Sequence, residues 1–113
     1  MQRGDIYWVR LDPTEGSEQA GTRPAVIVSR NSINRASPVV VICPVTSASN
    51  ISRFYPSDVL IQAPEGGLTV DSVILTLQVR AVAKARLNGR LGTLKPATLL
   101  RINQALDITL DLG

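Results

Sequence analysis

The sequence contains no histidine. Without imidazole there is no side chain that titrates near neutrality unperturbed, which argues against a His-based proton shuttle, a Ser-His triad or a His-ligated zinc site. Cysteine is nearly as scarce. Cys43 stands alone, so it cannot form an internal disulfide, and its place in the run Val39-Val40-Val41-Ile42-Cys43 marks it as a small buried hydrophobe. No uninterrupted apolar stretch approaches the ~20 residues a membrane helix needs, and the opening MQRGD lacks the basic-then-apolar pattern of a secretory leader. The expected compartment is the cytoplasm, with no membrane partner. Acidic residues are missing from Ser72 to Leu106, the sector that holds Arg80, Lys84, Arg86, Arg90, Lys95 and Arg101.

A chain of 113 residues fits one domain, here expected over 1–113, because a second core would leave each half too little apolar area to offset its ordering entropy. The composition, 44% hydrophobic and 19% charged, is that of a compact globular protein and too apolar for disorder. Net charge is +3, and ten of the twelve basic residues are arginine. The planar guanidinium fork matches phosphate oxygens bidentately, which makes a phosphodiester a plausible partner. Arginine over lysine can equally reflect the base composition of a genome, so charge alone does not decide the matter.

Strand signals recur at short intervals with turn residues between them, a spacing that argues for a small sheet or barrel rather than a βα repeat. The first runs from Asp5 to Leu11, with Ile6, Trp8 and Arg10 on one face and Tyr7, Val9 and Leu11 on the other, both faces mostly covered. The polar segment Asp12 to Arg23, with Pro13, Gly16 and Gly21, reads as a long loop, and loops of that length in compact domains are often functional. Pro24 to Ser29 follows as a strand, then a polar turn or single helical turn at Asn31 to Arg35. Val39 to Cys43 is a central strand, closed by Pro44-Val45-Thr46-Ser47 into a Ser/Asn-rich loop over Ala48 to Ser52. Further strands are expected at Asp58 to Ile61, Ser72 to Leu77 and Val79 to Ala83. Asn88-Gly89 signals a hairpin between Arg86-Leu87 and Arg90-Leu91. Pro96 suits the first position of a closing helix whose stripe is Leu99, Ile102, Leu106 and Leu110. The expected fold is mainly β with a helix (α+β): a short-stranded antiparallel barrel with a C-terminal helix packed on it.

For chemistry on a phosphodiester the sequence offers a polar loop with Ser17, Glu18 and Gln19, the arginine Arg23 at its end, and a hydroxyl, Thr46, at a strand end. RNA brings its own nucleophile. Its 2'-OH can attack the adjacent phosphorus in line, so an enzyme need only orient the backbone, stabilise the phosphorane charge and assist proton movements. Taken singly, Arg23 before Pro24 reads as a loop-end arginine pairing with Asp12 or Glu15, and Thr46 as a turn residue bonding its own backbone. Trp8 and Tyr7 read as core or barrel-rim packing rather than base-stacking platforms. Asn50-Ile51-Ser52 matches a glycosylation acceptor, set aside because no secretory leader accompanies it.

The motifs Arg3-Gly4-Asp5-Ile6-Tyr7-Trp8, Gly16-Ser17-Glu18-Gln19, Arg23-Pro24, Asn34-Arg35, Pro44-Val45-Thr46-Ser47 and Gln78-Val79-Arg80, all in order along the chain, resemble the MazF/PemK family of toxin ribonucleases. That resemblance implies an SH3-like barrel and a homodimer whose RNA groove crosses the subunit interface. It also implies sequence-specific, metal-independent cleavage of single-stranded RNA, chiefly messenger RNA, to a 2',3'-cyclic phosphate and a 5'-hydroxyl, with no cofactor. Catalysis in the family centres on the arginine and threonine that match Arg23 and Thr46. Ser17, Glu18, Gln19 and Gln78 match groove-shaping or base-contacting groups, and Asn34, Ser47 and Arg86 complete the expected RNA-contacting set. A cognate antitoxin is implied, presenting a disordered acidic or apolar segment that folds on the cationic groove. Leu77 departs from the pattern, since many relatives carry an acidic residue there. Two other functions suit the same barrel: a gyrase-inhibiting toxin, which would not need Arg23 and Thr46, and a noncatalytic RNA-binding module.

Overall fold

A computed structural model describes residues 1–12 and 15–113; Pro13, expected in the long loop, lies outside the described residues. The strands are β1 (Asp5–Arg10), β2 (Thr22–Ile27), β3 (Val39–Ser47), β4 (Asp58–Ile61), β5 (Ser72–Leu75), β6 (Arg80–Ala83) and β7 (Leu87–Thr93), with the helices α1 (Asn31–Ala36) and α2 (Pro96–Leu110). All the strand pairings are antiparallel. They run in the order β4-β5-β3-β2-β1-β7, and β6 also pairs with β3.

The long strand β3 organises the sheet. Its first half pairs with β6, from Val39↔Ala83 to Ile42↔Arg80, and its last residues pair with β5, from Val45↔Ile74 to Ser47↔Ser72. Its other side meets β2, with Ala25↔Pro44 and Ile27↔Ile42. The expected barrel is therefore corrected to a curved sheet that does not close, because the pairing path ends at β4 and β7, which do not pair with each other.

Alternation along the central strands explains why they read as continuous apolar runs. Val26, Cys43 and Val45 enter one core cluster, with Ile6, Ile74 and Ile102. Ala25, Ile27, Val40 and Ile42 enter a second, with Val9, Leu11 and Val82. A strand with a core on each face has no polar side to show. Each fully buried Ile or Val contributes roughly 1.5–3 kcal/mol relative to exposure.

Helix α2 begins at Pro96, as expected, and covers the first cluster. Glu65 caps it from a 3-10 turn at Glu65–Gly67: its Oε2 accepts from the Lys95 backbone N–H at 3.0 Å and from Thr98 Oγ1 at 2.6 Å. The buried residues of the helix are Thr98, Ile102 and Ala105, with Leu99 and Leu106 packed beside them. Leu110, the last expected member of this stripe, is 49% exposed. Among the described residues no helix is long and apolar enough to cross a membrane.

Three local expectations are corrected. Asn88-Gly89 does not turn the chain: β7 is one strand, and between Tyr7↔Arg90 and Val9↔Leu87 it carries one residue more than β1. Neither Asn88 nor Gly89 takes the positive φ that a type I' turn requires, so the dipeptide lies in a bulge. The strand expected to run to Leu77 stops at Leu75 and becomes a 3-10 turn at Thr76–Gln78. Thr76 is held there by its hydroxyl, which donates to the Ser57 carbonyl at 2.6 Å. The long loop is shorter than expected, because β1 continues to pair through Arg10↔Thr22 and Val9↔Arg23. Arg23 therefore stands within a strand instead of at a loop end.

Candidate functional site: a guanidinium and a hydroxyl in one groove

The β2–β3 register brings the two principal candidates together. Ala25 faces Pro44 and Val26 faces Cys43; continuing that register outward sets Arg23 opposite Thr46. Both line a cavity of about 440 Å³ together with Trp8, Ser47, Asn50 and the segment Gly67–Val70. The far wall depends on a close backbone crossing between the 3-10 turn at Glu65–Gly67 and β7. A Cβ on Gly67 would fall 2.2 Å from the Leu91 carbonyl oxygen, and Gly67 has φ +77°, so only glycine allows this approach.

Arg23 is exposed and its Nε donates to the Ala20 carbonyl at 3.1 Å. That bond anchors the base of the guanidinium and leaves the two terminal nitrogens without protein partners among the described residues. No carboxylate forms an ion pair with it there; the one salt bridge among the described residues joins Arg90 to Asp5 at 3.6 Å. Among the residues lining the cavity Arg23 is the only charged one, so the groove offers an anion an uncompensated cation. Thr46 is 4% exposed, and its Oγ1 accepts from Asn50 Nδ2 at 3.0 Å. Ser47 lines the same groove and caps the following 3-10 turn, its Oγ accepting from the Ser49 backbone N–H at 3.3 Å.

Glu18, Gln19 and Gln78 gather in a neighbouring hollow of about 440 Å³ with Pro44, Leu77 and Arg80. Pro44 lines this hollow and Val45 the groove, so the two concavities flank the same stretch of β3. Within the hollow Gln78 Oε1 accepts from the Gln19 backbone N–H at 2.9 Å, which ties the loop to the 3-10 turn after β5. Glu18 accepts within its own loop, from the Glu15 backbone N–H at 3.3 Å, and does not hold Arg23. Ser17 is exposed at the loop surface.

Two expected RNA contacts bond within the protein. Asn34 is 2% exposed; its Nδ2 donates to the Ser29 carbonyl at 2.9 Å, and Ser29 Oγ donates to its Oδ1. Its polar groups are thus occupied in fixing α1 to the end of β2, and the reading of Asn34 as an RNA contact is corrected. Arg86 donates through one terminal nitrogen to the carbonyls of Arg10 and Asp12, which braces the root of the loop and leaves its Nε and other terminal nitrogen without protein partners among the described residues.

Trp8, expected in core or barrel-rim packing, is 42% exposed and forms part of the groove wall. Its strand partner is Pro24, the residue next to Arg23, and the alternation of β1 already set it on the face opposite Val9 and Leu11. Asn50 was also missed, because its relation to Thr46 arises from a turn that residue type alone does not reveal. A larger hollow of about 760 Å³ lies between Arg3, Arg30, Asn31 and Asn103. There the Arg3 guanidinium is bonded to the Val28 carbonyl at 2.9 Å and to Asn103 Oδ1 at 2.6 Å. No group of three or more His, Cys, Asp or Glu side chains that could hold a metal occurs among the described residues. Cys43 takes no part in the site: burial pushes its thiol from 9.0 up to about 12, against a smaller lowering by the charge of Arg3.

A small antiparallel sheet with one closing helix carries a guanidinium and a hydroxyl in one groove beside an exposed tryptophan, a surface suited to receiving an anion. Across residues 2–110 the chain belongs to the PemK-like, MazF-like toxin family of type II toxin–antitoxin systems. It is 38% identical to the endoribonuclease MazF of Staphylococcus epidermidis over 113 residues, covering 100% of this chain and 93% of that protein. It is 40% identical to the endoribonuclease MazF9 of Mycobacterium tuberculosis over 117 residues, covering 99% and 98%. Among solved structures, an endoribonuclease in complex with its cognate antitoxin from a mycobacterial species matches with a TM-score of 0.83 at 28% identity, covering 100% of this chain and 97% of the other. MazF from Deinococcus radiodurans matches with a TM-score of 0.83 at 27% identity, covering 99% and 97%.

Proposed function

We propose that this MazF-like endoribonuclease cuts single-stranded RNA, chiefly messenger RNA, in the groove between Arg23 and Thr46, by attack of the RNA's own 2'-OH and without a metal ion. The observation that carries the reading is the shared cavity of those two side chains. In the proposed reaction the 2'-oxygen bonds to phosphorus as its proton leaves, and the bond to the 5'-oxygen breaks as that oxygen gains a proton. The products are a 2',3'-cyclic phosphate and a 5'-hydroxyl. The terminal nitrogens of Arg23 hold the equatorial oxygens of the pentavalent phosphate and Thr46 adds a hydroxyl hydrogen bond to them, the kind of preorganised charge stabilisation that supplies much of an enzyme's rate. A guanidinium is a very poor base near neutral pH, so proton removal falls more naturally to Glu18 or to water.

The loop residues Ser17, Glu18 and Gln19, with Ser47 and Gln78, contact the bases or backbone on either side of the cut, and Trp8 offers a face for an unstacked base. The working form is a homodimer in the cytoplasm. A cognate antitoxin occupies the same cationic groove; the mycobacterial neighbour bound to its antitoxin and the MazE-MazF structure from Deinococcus radiodurans favour such a partner. The test is purified protein mixed with single-stranded RNA in excess EDTA. Cleavage supports the proposal. Intact RNA together with inhibited gyrase would identify a gyrase poison, and intact RNA bound in a salt-dependent way would identify a noncatalytic binder.

A further inference from the structure

We infer that Asn50 is a positioning residue which sets the direction of the Thr46 hydroxyl proton, presenting Thr46 to the groove as a hydrogen-bond donor. The inference rests on the proposed role of Thr46 and adds a cause for it. A threonine hydroxyl has one proton and two lone pairs, and rotates to suit its neighbours. Here Asn50 Nδ2 donates to Thr46 Oγ1 at 3.0 Å, which claims a lone pair and turns the O–H away from Asn50. Among the described residues that O–H donates to no protein acceptor, while Thr46 and Asn50 both line the Arg23 groove. The proton therefore points where an acceptor oxygen of a bound phosphodiester would lie.

The turn carrying Asn50 is held from several sides. Ser47 caps it, its Oγ lying 2.8 Å from Ser49 Oγ. The Ala48 backbone N–H donates to the Asp71 carbonyl at 2.8 Å, and Ile51 N–H to the Ala48 carbonyl at 3.1 Å. Thr46 itself is pinned within β3 opposite Val73. Both partners thus sit on backbone fixed before substrate arrives, the condition under which a single donor has a large effect on a transition state. An amide is suited to this task because its NH2 end can only donate. A carboxylate at position 50 could only accept, and would draw the Thr46 proton out of the groove.

The experiment is single-turnover cleavage, in EDTA, of a short labelled RNA selected because the wild-type chain cuts it. The variants are Asn50→Ala, Asn50→Asp, Thr46→Val and the double variant Asn50→Ala/Thr46→Val. Loss of one orienting hydrogen bond predicts that Asn50→Ala slows the cleavage step by about tenfold and leaves the RNA concentration for half-maximal rate within about twofold. Thr46→Val removes the donor itself and slows the step by about 100-fold. The double variant is then no slower than Thr46→Val, because Asn50 has no hydroxyl left to orient. Asn50→Asp, nearly the same size, is at least as slow as Asn50→Ala.

Independent, multiplying effects of the two substitutions, or an Asn50→Ala defect confined to RNA affinity, would overturn the inference and make Asn50 a direct RNA contact. Wild-type rates in Asn50→Ala would overturn it too, as would Asn50→Asp outperforming Asn50→Ala. Wild-type rates in Thr46→Val would sink the underlying role of Thr46 and this inference with it, whereas a slow Thr46→Val with multiplying effects removes only the inference. Asn50 is exposed, and circular dichroism of each variant verifies that the rates compare folded molecules.

Discussion

Replacing Arg23 by lysine keeps the positive charge and removes the fork, which makes it a sharp perturbation of the proposed site. The arginine Nε is tied to the Ala20 carbonyl at 3.1 Å, so the terminal nitrogens are held in a fixed plane facing the groove. A lysine ammonium has no counterpart to that tether and offers rotatable donors in place of a planar pair. Long-range attraction for RNA survives, so half-saturation should change by no more than about threefold, since only fork geometry is lost while the phosphate-facing charge remains. One charge-assisted hydrogen bond in the transition state is worth about 1.5–3 kcal/mol, and about 1.4 kcal/mol corresponds to tenfold in rate. The cleavage step of Arg23→Lys should therefore slow by about 10- to 100-fold, and that of Arg23→Ala by about 1000-fold or more as the charge goes as well. Single-turnover cleavage of a labelled RNA in EDTA reads both. A lysine variant within twofold of wild type would refute the reasoning, because a bare charge would then suffice.

Other consequences concern residues outside the Arg23–Thr46 pair. Asn34→Ala should lower the unfolding free energy by about 2 kcal/mol, the cost of stranding the buried Ser29 partners, and leave the cleavage rate per folded molecule unchanged; a rate loss without a stability loss would restore Asn34 to the RNA surface. Trp8 is the one tryptophan of the chain, so its emission should be quenched on saturation with an uncleavable oligonucleotide, and Trp8→Ala should weaken RNA binding by about 5- to 100-fold, as expected for a lost stacked base. Unchanged emission at saturation would remove Trp8 from the groove. The unfolded Cys43 thiol ionises near 9.0 while the native thiol holds its proton to about 12. Unfolding thus releases a proton above pH 9, and the wild type should lose stability relative to Cys43→Ala as pH rises from 9 towards 12. Denaturant melts of the pair that stay parallel across that window would contradict the burial argument.

Much of this architecture could be read before any coordinates, and the places where reading failed share a cause. The apolar run Val39 to Cys43 announced a central strand, although Val39 at its start is 42% exposed, and Ala25, Val26 and Ile27 alternate between the two cores as a period of two demands. Pro96 marked the helix start because its missing N–H costs nothing there. Asn88-Gly89 misled because its turn preference is local, while the ladder offered by β1 is not. The tertiary pairing won and the dipeptide became a bulge. Arg23 and Thr46 were legible as a pair through the family motifs, and the β2–β3 register supplies the geometry behind them. Asn34 belongs to a motif of the same pattern, yet its side chain is turned inward to Ser29. Motif membership therefore did not separate a folding role from a binding one. Trp8 failed in the opposite direction: an apolar ring on an apolar strand suggested core or rim packing, and alternation alone did not reveal its exposure, because Ile6 on the same face is fully buried.

The most direct test places a single 2'-deoxynucleotide on the 5' side of the bond that the wild-type chain cuts in an otherwise unmodified RNA. Because the substrate is held to supply the nucleophile, cleavage at that bond should disappear while binding stays close to that of the parent RNA. Continued cutting there, leaving a 3'-hydroxyl or a 5'-phosphate, would mean that water or a protein group attacks phosphorus, and the account of Arg23 and Thr46 would fall.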